Sequence, residues 1–248
     1  MNDNDKYLFD LHGYLVVEDA LDAVQLAALN AVLDEHIASD CEAEASTHRF
    51  GGLLDWGPAY RALIDNPTIT PVLEQIVGPQ YRLDHVYLDI IRSGTSPIGA
   101  TLHGGRVPFG PTHYYHYQDG TMHNGLSVVA YNLADVGPED GGFGCVPGSH
   151  KSNFRFPAEW RDMDEGLQPC VQRITGPAGS AVIFTEALTH GALPWTGSGE
   201  RRTAFYKYSP HAVSWAAGYF DAEDYSDLSE RQRDILEAPN ARYARRKR

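Results

Sequence analysis

Cysteine is scarce: Cys41, Cys145 and Cys170 are the only three in 248 residues. They are too few and too scattered for a disulfide framework or a Cys-x-x-Cys metal site, and read as buried or half-buried thiols of a reducing compartment. Positive charge is short as well. Twenty Lys and Arg stand against 33 Asp and Glu, a formal net charge of -13, whereas binding a phosphate backbone needs a clustered basic surface. No nucleic-acid partner is expected. The one dense basic run, Arg242 with Arg245, Arg246, Lys247 and Arg248, reads as a solvated tail over about 240–248. No apolar stretch reaches membrane-span length, and the first residues are acidic where a signal peptide is basic. The expectation is a cytoplasmic protein with no membrane partner. A Gly-x-Ser-x-Gly elbow is missing, and Gly141-Gly142-x-Gly144 lacks the Lys-Ser/Thr of a phosphate loop, so it reads as a tight turn.

What is present suits one large domain spanning 1–248, with 42% hydrophobic residues and no repeat, linker or shift in composition. Gly13 to Val17 is β-rich. A helix follows, on which Leu21, Val24, Ala28, Val32 and His36 recur at helical spacing. A shorter one spans Thr68 to Val77, with threonines able to cap it, Pro71 in its first turn and Gly78 closing it. These make a helical part over about 18–78.

From Tyr81 the character changes. Tyr81–Arg92, Leu126–Leu133, Gly142–Val146, Cys170–Thr175, Ala181–Phe184 and Thr203–Tyr208 read as strands between Gly/Pro-rich turns. The fold class expected is mainly β with N-terminal helices, a jelly roll or related closed sandwich with its core over about 81–210. The long segment 106–124, carrying His113, His116 and His123 among tyrosines, reads either as a lid or as a hairpin with stacked rings.

Eleven histidines prompt a metal search. His103 follows the first core strand, in Thr101-Leu102-His103-Gly104-Gly105. His190 ends the passage Val182 to Thr189, and Arg201 opens the last strand. Two neutral imidazoles suit Fe(II), which non-haem oxygenases hold with open positions, and a guanidinium grips a dicarboxylate bidentately. Side-chain alternation sends Arg202 to the other face. His150 reads as part of its turn. Trp56 and Tyr60 either cover the barrel mouth or pack the helical layer, and Asp162, Asp164 and Glu165 read as a solvated loop.

Three stretches together resemble the phytanoyl-CoA dioxygenase family. They are Phe9 to Val17, the run Gly141 to Lys151 with its Pro147-Gly148-Ser149-His150-Lys151 turn, and the block from Phe184 through His190 to Arg201-Arg202. The resemblance spans about Phe9 to Pro210. It implies a double-stranded β-helix, Fe(II), 2-oxoglutarate, O2 and a small-molecule substrate. It further implies that His190 is the distal iron ligand, that Arg201 holds the far carboxylate of 2-oxoglutarate, and that Tyr131 stands beside that cosubstrate.

One departure matters. The family's proximal motif is His-x-Asp, and here its place holds His103-Gly104-Gly105; no His-x-Asp or His-x-Glu occurs anywhere in the chain. Either Gly105 leaves room for a chloride, as in halogenases resembling this family, or a carboxylate from elsewhere, Glu186 or Asp119, serves an ordinary hydroxylase, or water fills the place. Glu186 also reads as a partner that orients a ligand, and Asp119, before Gly120, as a turn residue.

Overall fold

A computed structural model describes residues 1–92, 97–163 and 166–242. Ser93 to Ser96, Asp164, Glu165 and all of the basic tail except Arg242 lie outside these residues. The described chain is mainly β with few helices, and its strand pairs are antiparallel. The strands are β1 (Tyr14–Val17), β2 (Thr47–Phe50), β3 (Tyr81–Ile91), β4 (Tyr115–Gln118), β5 (Thr121–Asn124), β6 (Ser127–Asn132), β7 (Gly142–Cys145), β8 (Gln172–Ile174), β9 (Ala181–Thr185), β10 (His190–Leu193) and β11 (Arg201–Pro210). A large sheet runs β1-β9-β6-β11-β3-β2, a small one β10-β7-β8, and β4-β5 stands apart as a hairpin.

Alternation along the central strands decides what each face does. From β11, Ala204 and Tyr206 join Leu88, Tyr131 and Ile183 against a helical layer that includes Leu29, Leu33 and Tyr60. From the same strand Phe205 turns the other way, with Val128, Ala130, Val182 and Phe184, to meet Phe143, Cys145 and Ile174 of the small sheet. That apolar layer joins the large sheet to the small one, and an isolated bridge ties the His103 segment to His190 at the start of β10. Gly197-Ser198-Gly199, which reads as a hairpin turn, carries the chain from the small sheet to the large one.

The helices are α1 (Asp3–His12), α2 (Ala23–Asp40), α3 (Pro58–Arg61), α4 (Thr70–Ile76) and α5 (Glu230–Ile235). The inward stripe of α2 is Leu29 and Leu33, with Leu26 and Ile37 beside them, whereas Val24 is 79% exposed. Of the expected stripe, Leu21 is buried, Val32 packs against the core and His36 stacks on Trp56, while Val24 and Ala28 face outward. Asn66, not a threonine, organises the start of α4: its side-chain oxygen accepts from the N–H groups of Thr68 and Ile69. Trp56 stacks on His36 at 3.9 Å and Tyr60 donates to the Leu29 carbonyl at 3.1 Å, so both belong to the helical layer.

Candidate functional site

A cavity of about 700 Å3 opens beside the central strands, and His103, His190, Arg201 and Glu186 all line it. The bridge between residues 103 and 190 puts the two imidazoles side by side, with ring centres 4.4 Å apart. Each ring is oriented by its own backbone. His103 Nδ1 lies 2.8 Å from the Thr101 carbonyl and His190 Nδ1 2.7 Å from that of Leu188. A carbonyl can only accept, so each Nδ1 donates its N–H, and in a neutral ring the lone pair is then on Nε2. Burial, with His103 nearby, lowers the pKa of His190 to about 4 even though Glu186 opposes it, and the ring is neutral at pH 7.

Glu186 sits in the turn between β9 and β10, its carboxylate 3.8 Å from His190 Nε2. With the ring neutral this is no ion pair: a lone pair faces an anion with no hydrogen between them. Such an arrangement calls for a cation. Burial pushes the Glu186 carboxyl up, but the Lys207 ammonium 2.6 Å away and His190 outweigh it and hold the pKa at about 2. Among the described residues no three His, Cys, Asp or Glu side chains converge closely enough to hold a metal ion as they stand. The set is two imidazoles and a carboxylate whose other oxygen is engaged by Lys207.

Arg201 is 3% exposed and its Nε has no partner among the described residues. Thr203, two residues on along the same face, buries an equally unpartnered hydroxyl. Asp89 is a nearby opposite charge, yet the buried Nε–H of Arg201 and the Thr203 hydroxyl are left without a hydrogen-bond partner among the described residues, and two such groups on one face suit an anionic ligand. Arg202 turns the opposite way, as alternation demands, and pairs with Asp34 at 2.8 Å and Glu200 at 3.0 Å.

Tyr131 requires a correction. Its partner across the ladder is Ala204, so it shares the helix-facing side of the sheet, its ring set edge-on to Tyr206. It does not line the cavity. Gly105 also differs from an emptied ligand position. Its φ is +94°, a backbone that L side chains rarely adopt, and within 4 Å a Cβ built there meets Thr189 Oγ1 at 3.1 Å and neither imidazole.

Of the other histidines, His113 lines the cavity, and burial lowers its pKa. His116 and His123 face each other across the β4-β5 hairpin, whose turn is Asp119-Gly120, both at positive φ. That places Asp119 in a turn and not in the cavity. His150 is wholly buried where α1 meets the turn after β7, and it too stands outside the cavity. Sequence reasoning missed Thr203 and Lys207; the signal for both was their even spacing from Arg201 on one strand face.

The structure is an antiparallel β fold whose cavity gathers two oriented imidazoles, a carboxylate and a buried arginine. The chain belongs to the phytanoyl-CoA dioxygenase family, whose model matches residues 9–203. In fold it is similar to HygX from Streptomyces hygroscopicus. The structure of HygX with nickel and 2-oxoglutarate bound is 23% identical, with a TM-score of 0.78 over 89% of this chain and 96% of that one. With nickel, 2-oxoglutarate and hygromycin B bound the values are 24%, 0.77, 92% and 94%, and with iron bound 23%, 0.75, 89% and 96%. At this identity the likeness speaks to the fold. No curated protein matches the chain in sequence. None of the described helices is long and apolar enough to cross a membrane.

Proposed function

We propose that the protein is an Fe(II)- and 2-oxoglutarate-dependent oxygenase that hydroxylates a C–H bond of a small molecule. His103 and His190 are the nitrogen ligands, Glu186 is the carboxylate, and Arg201 with Thr203 holds the far carboxylate of 2-oxoglutarate. Membership of the family, and HygX structures with iron or with nickel and 2-oxoglutarate bound, support the cofactor pair. The observation that carries the reading is the Glu186 carboxylate facing a proton-free His190 Nε2 across 3.8 Å.

Iron(II) and 2-oxoglutarate, held by these residues, would supply O2 activation: one oxygen atom of O2 would enter succinate as the keto acid loses CO2, and the other would enter the substrate C–H bond. The chain's own residues prepare the place. The Thr101 and Leu188 carbonyls fix both rings with Nε2 toward the cavity. Lys207 keeps the Glu186 carboxyl ionised despite its burial. Phe184 and Phe143, with ring centres 4.7 and 5.8 Å from that of His190, shield it from water. Arg201, buried and with its Nε–H free of any partner among the described residues, offers that donor to a carboxylate.

A halogenase reading starts from Gly105. Its left-handed backbone and its contact with Thr189 favour a glycine required by the chain path over a position vacated for a halide, so chloride belongs only to this second reading. The deciding experiment adds Fe(II) and 2-oxoglutarate under nitrogen, then air with and without chloride. A visible charge-transfer band followed by chloride-independent succinate supports hydroxylation. No band and no succinate would end the oxygenase reading, while halide-dependent product would restore the halogenase one. Gly105→Asp is expected to lose stability without gaining hydroxylation.

A further inference from the structure

We infer that the substrate carries an anionic group, a carboxylate, phosphate or sulfate, held by Arg161, and that its body lies between the rim aromatics Phe109 and Trp215. This deepens the oxygenase reading and rests on it for the identity of the loaded site. Six charged side chains line the cavity: Arg49, Arg161, Arg201 and Lys207 against Asp89 and Glu186. Arg49 clamps Asp89 with two bonds of 2.7 Å. Lys207 is paired with Glu186. Arg201 is committed to the keto acid. Arg161 is left over, half-buried, with no side-chain partner among the described residues and its Nε shut off from solvent. Its carbonyl accepts from the N–H of Leu102 at 2.9 Å, which anchors it next to His103. A guanidinium held there in a partly dry cavity has no counter-charge among the described residues and suits an anionic ligand.

The rim indicates what else that ligand must offer. Phe109 and Trp215 are 73% and 56% exposed where they line the opening, an expensive use of large aromatic rings unless something covers them. Trp215 is held in place. Asp84 accepts from the N–H groups of Trp215 and Ala216 at 3.0 Å each, and the indole stacks on His85 with ring centres 4.9 Å apart. A small molecule with one anionic end and one flat or apolar face meets both demands.

The test uses protein loaded with redox-inactive Ni(II) and saturating 2-oxoglutarate, and follows the aromatic proton linewidths of three probes: phenyl phosphate, benzyl alcohol and benzylammonium. Phenyl phosphate should broaden saturably and the other two should not. Arg161→Gln should weaken phenyl phosphate at least roughly tenfold, the scale of one charge-assisted contact, and Arg161→Lys should recover part of it. Trp215→Ala should weaken it as well. Equal broadening by Arg161→Gln, preference for benzylammonium, or displacement of phenyl phosphate by 2-oxoglutarate would each overturn the proposal. The Fe(II)–2-oxoglutarate band is recorded on the same variants. Its retention in Arg161→Gln assigns the loss to the substrate end, whereas its absence from the parent protein sinks the oxygenase reading and leaves phosphate binding to be judged on metal-free protein by calorimetry.

Discussion

A lone pair and a carboxylate that face each other 3.8 Å apart repel until a cation lies between them, and the predictions at the scale of single residues follow from that. Glu186→Gln keeps the shape and the reach to Lys207 but removes the charge. Fe(II) or Co(II) affinity, measured by anaerobic titration, is expected to fall roughly 10- to 100-fold, the range for losing a group that sets a metal's surroundings. An unchanged affinity would mean that the two histidines suffice and that Glu186 only orients His190. Arg201 and Arg202 provide an internal comparison, since they are adjacent in sequence and opposite in direction. Arg201→Ala should raise the 2-oxoglutarate requirement by about 30-fold or more, the cost of removing one side of a buried charged contact. Arg202→Ala, which breaks pairs with Asp34 and Glu200 on the far face, should leave it unaltered. Equal effects of the two would remove Arg201 from the cosubstrate.

At the scale of elements, the site depends on how closely the His103 segment approaches the turn before β10. Gly104 has φ +74°, and a Cβ there would meet the Leu188 carbonyl at 2.5 Å, the Glu186 carbonyl at 2.8 Å and His190 Nδ1 at 3.1 Å. Gly104→Ala adds strain of left-handed backbone to overpacking, together roughly 2–4 kcal/mol. Denaturant unfolding should show that loss, and the metal titration should fail because the bridge between His103 and His190 cannot close. The elements also show what one sequence discloses. The core strands were legible because β-branched and aromatic runs between Gly/Pro turns have few other fates. The stripe expected on α2 was right in part: Leu21, Val32 and His36 pack inward, but Val24 and Ala28 do not, and only the partner surface shows that Leu29 and Leu33 take the centre. Helix α1 was missed, although its capping box from Asn2 to Asp5 and the stop at Gly13 were in plain view. Motif and spacing singled out His103, His190 and Arg201, and the structure brings the three to one cavity. The misplacement of Tyr131 was one of parity, since it pairs with Ala204 and so lies on the face away from Arg201. Which carboxylate meets the histidines depends on the turn after β9, and no spacing rule encodes its direction.

At the scale of the whole molecule, His150 is a junction whose protonation reports on the packing of three parts. Its Nε2 lies 3.1 Å from the Asp10 carbonyl of α1, its ring meets Tyr115 of the β4-β5 hairpin edge-on at 4.7 Å, and Gly13 has no room for a Cβ beside it. Burial, reinforced by Lys151, lowers its pKa from 6.5 to about 4, and its Nδ1 has no partner among the described residues. The folded value lies below the unfolded one, so on acidification the unfolded chain takes up the proton first. The contribution of His150 is therefore complete above pH 6.5 and drains away as pH falls toward 4, at up to about 1.4 kcal/mol per unit and roughly 3 kcal/mol in all. Asp10, whose pKa is lowered from 3.8, loses its share only below that window. His150→Gln cannot take the proton. Its stability relative to the parent should rise steadily between pH 6.5 and 4 in denaturant titrations, because the histidines common to both proteins cancel in the difference. A difference that stays flat across that range would mean that the ring is already charged or reached by water in the folded chain, and that α1, the hairpin and the turn after β7 do not close over it.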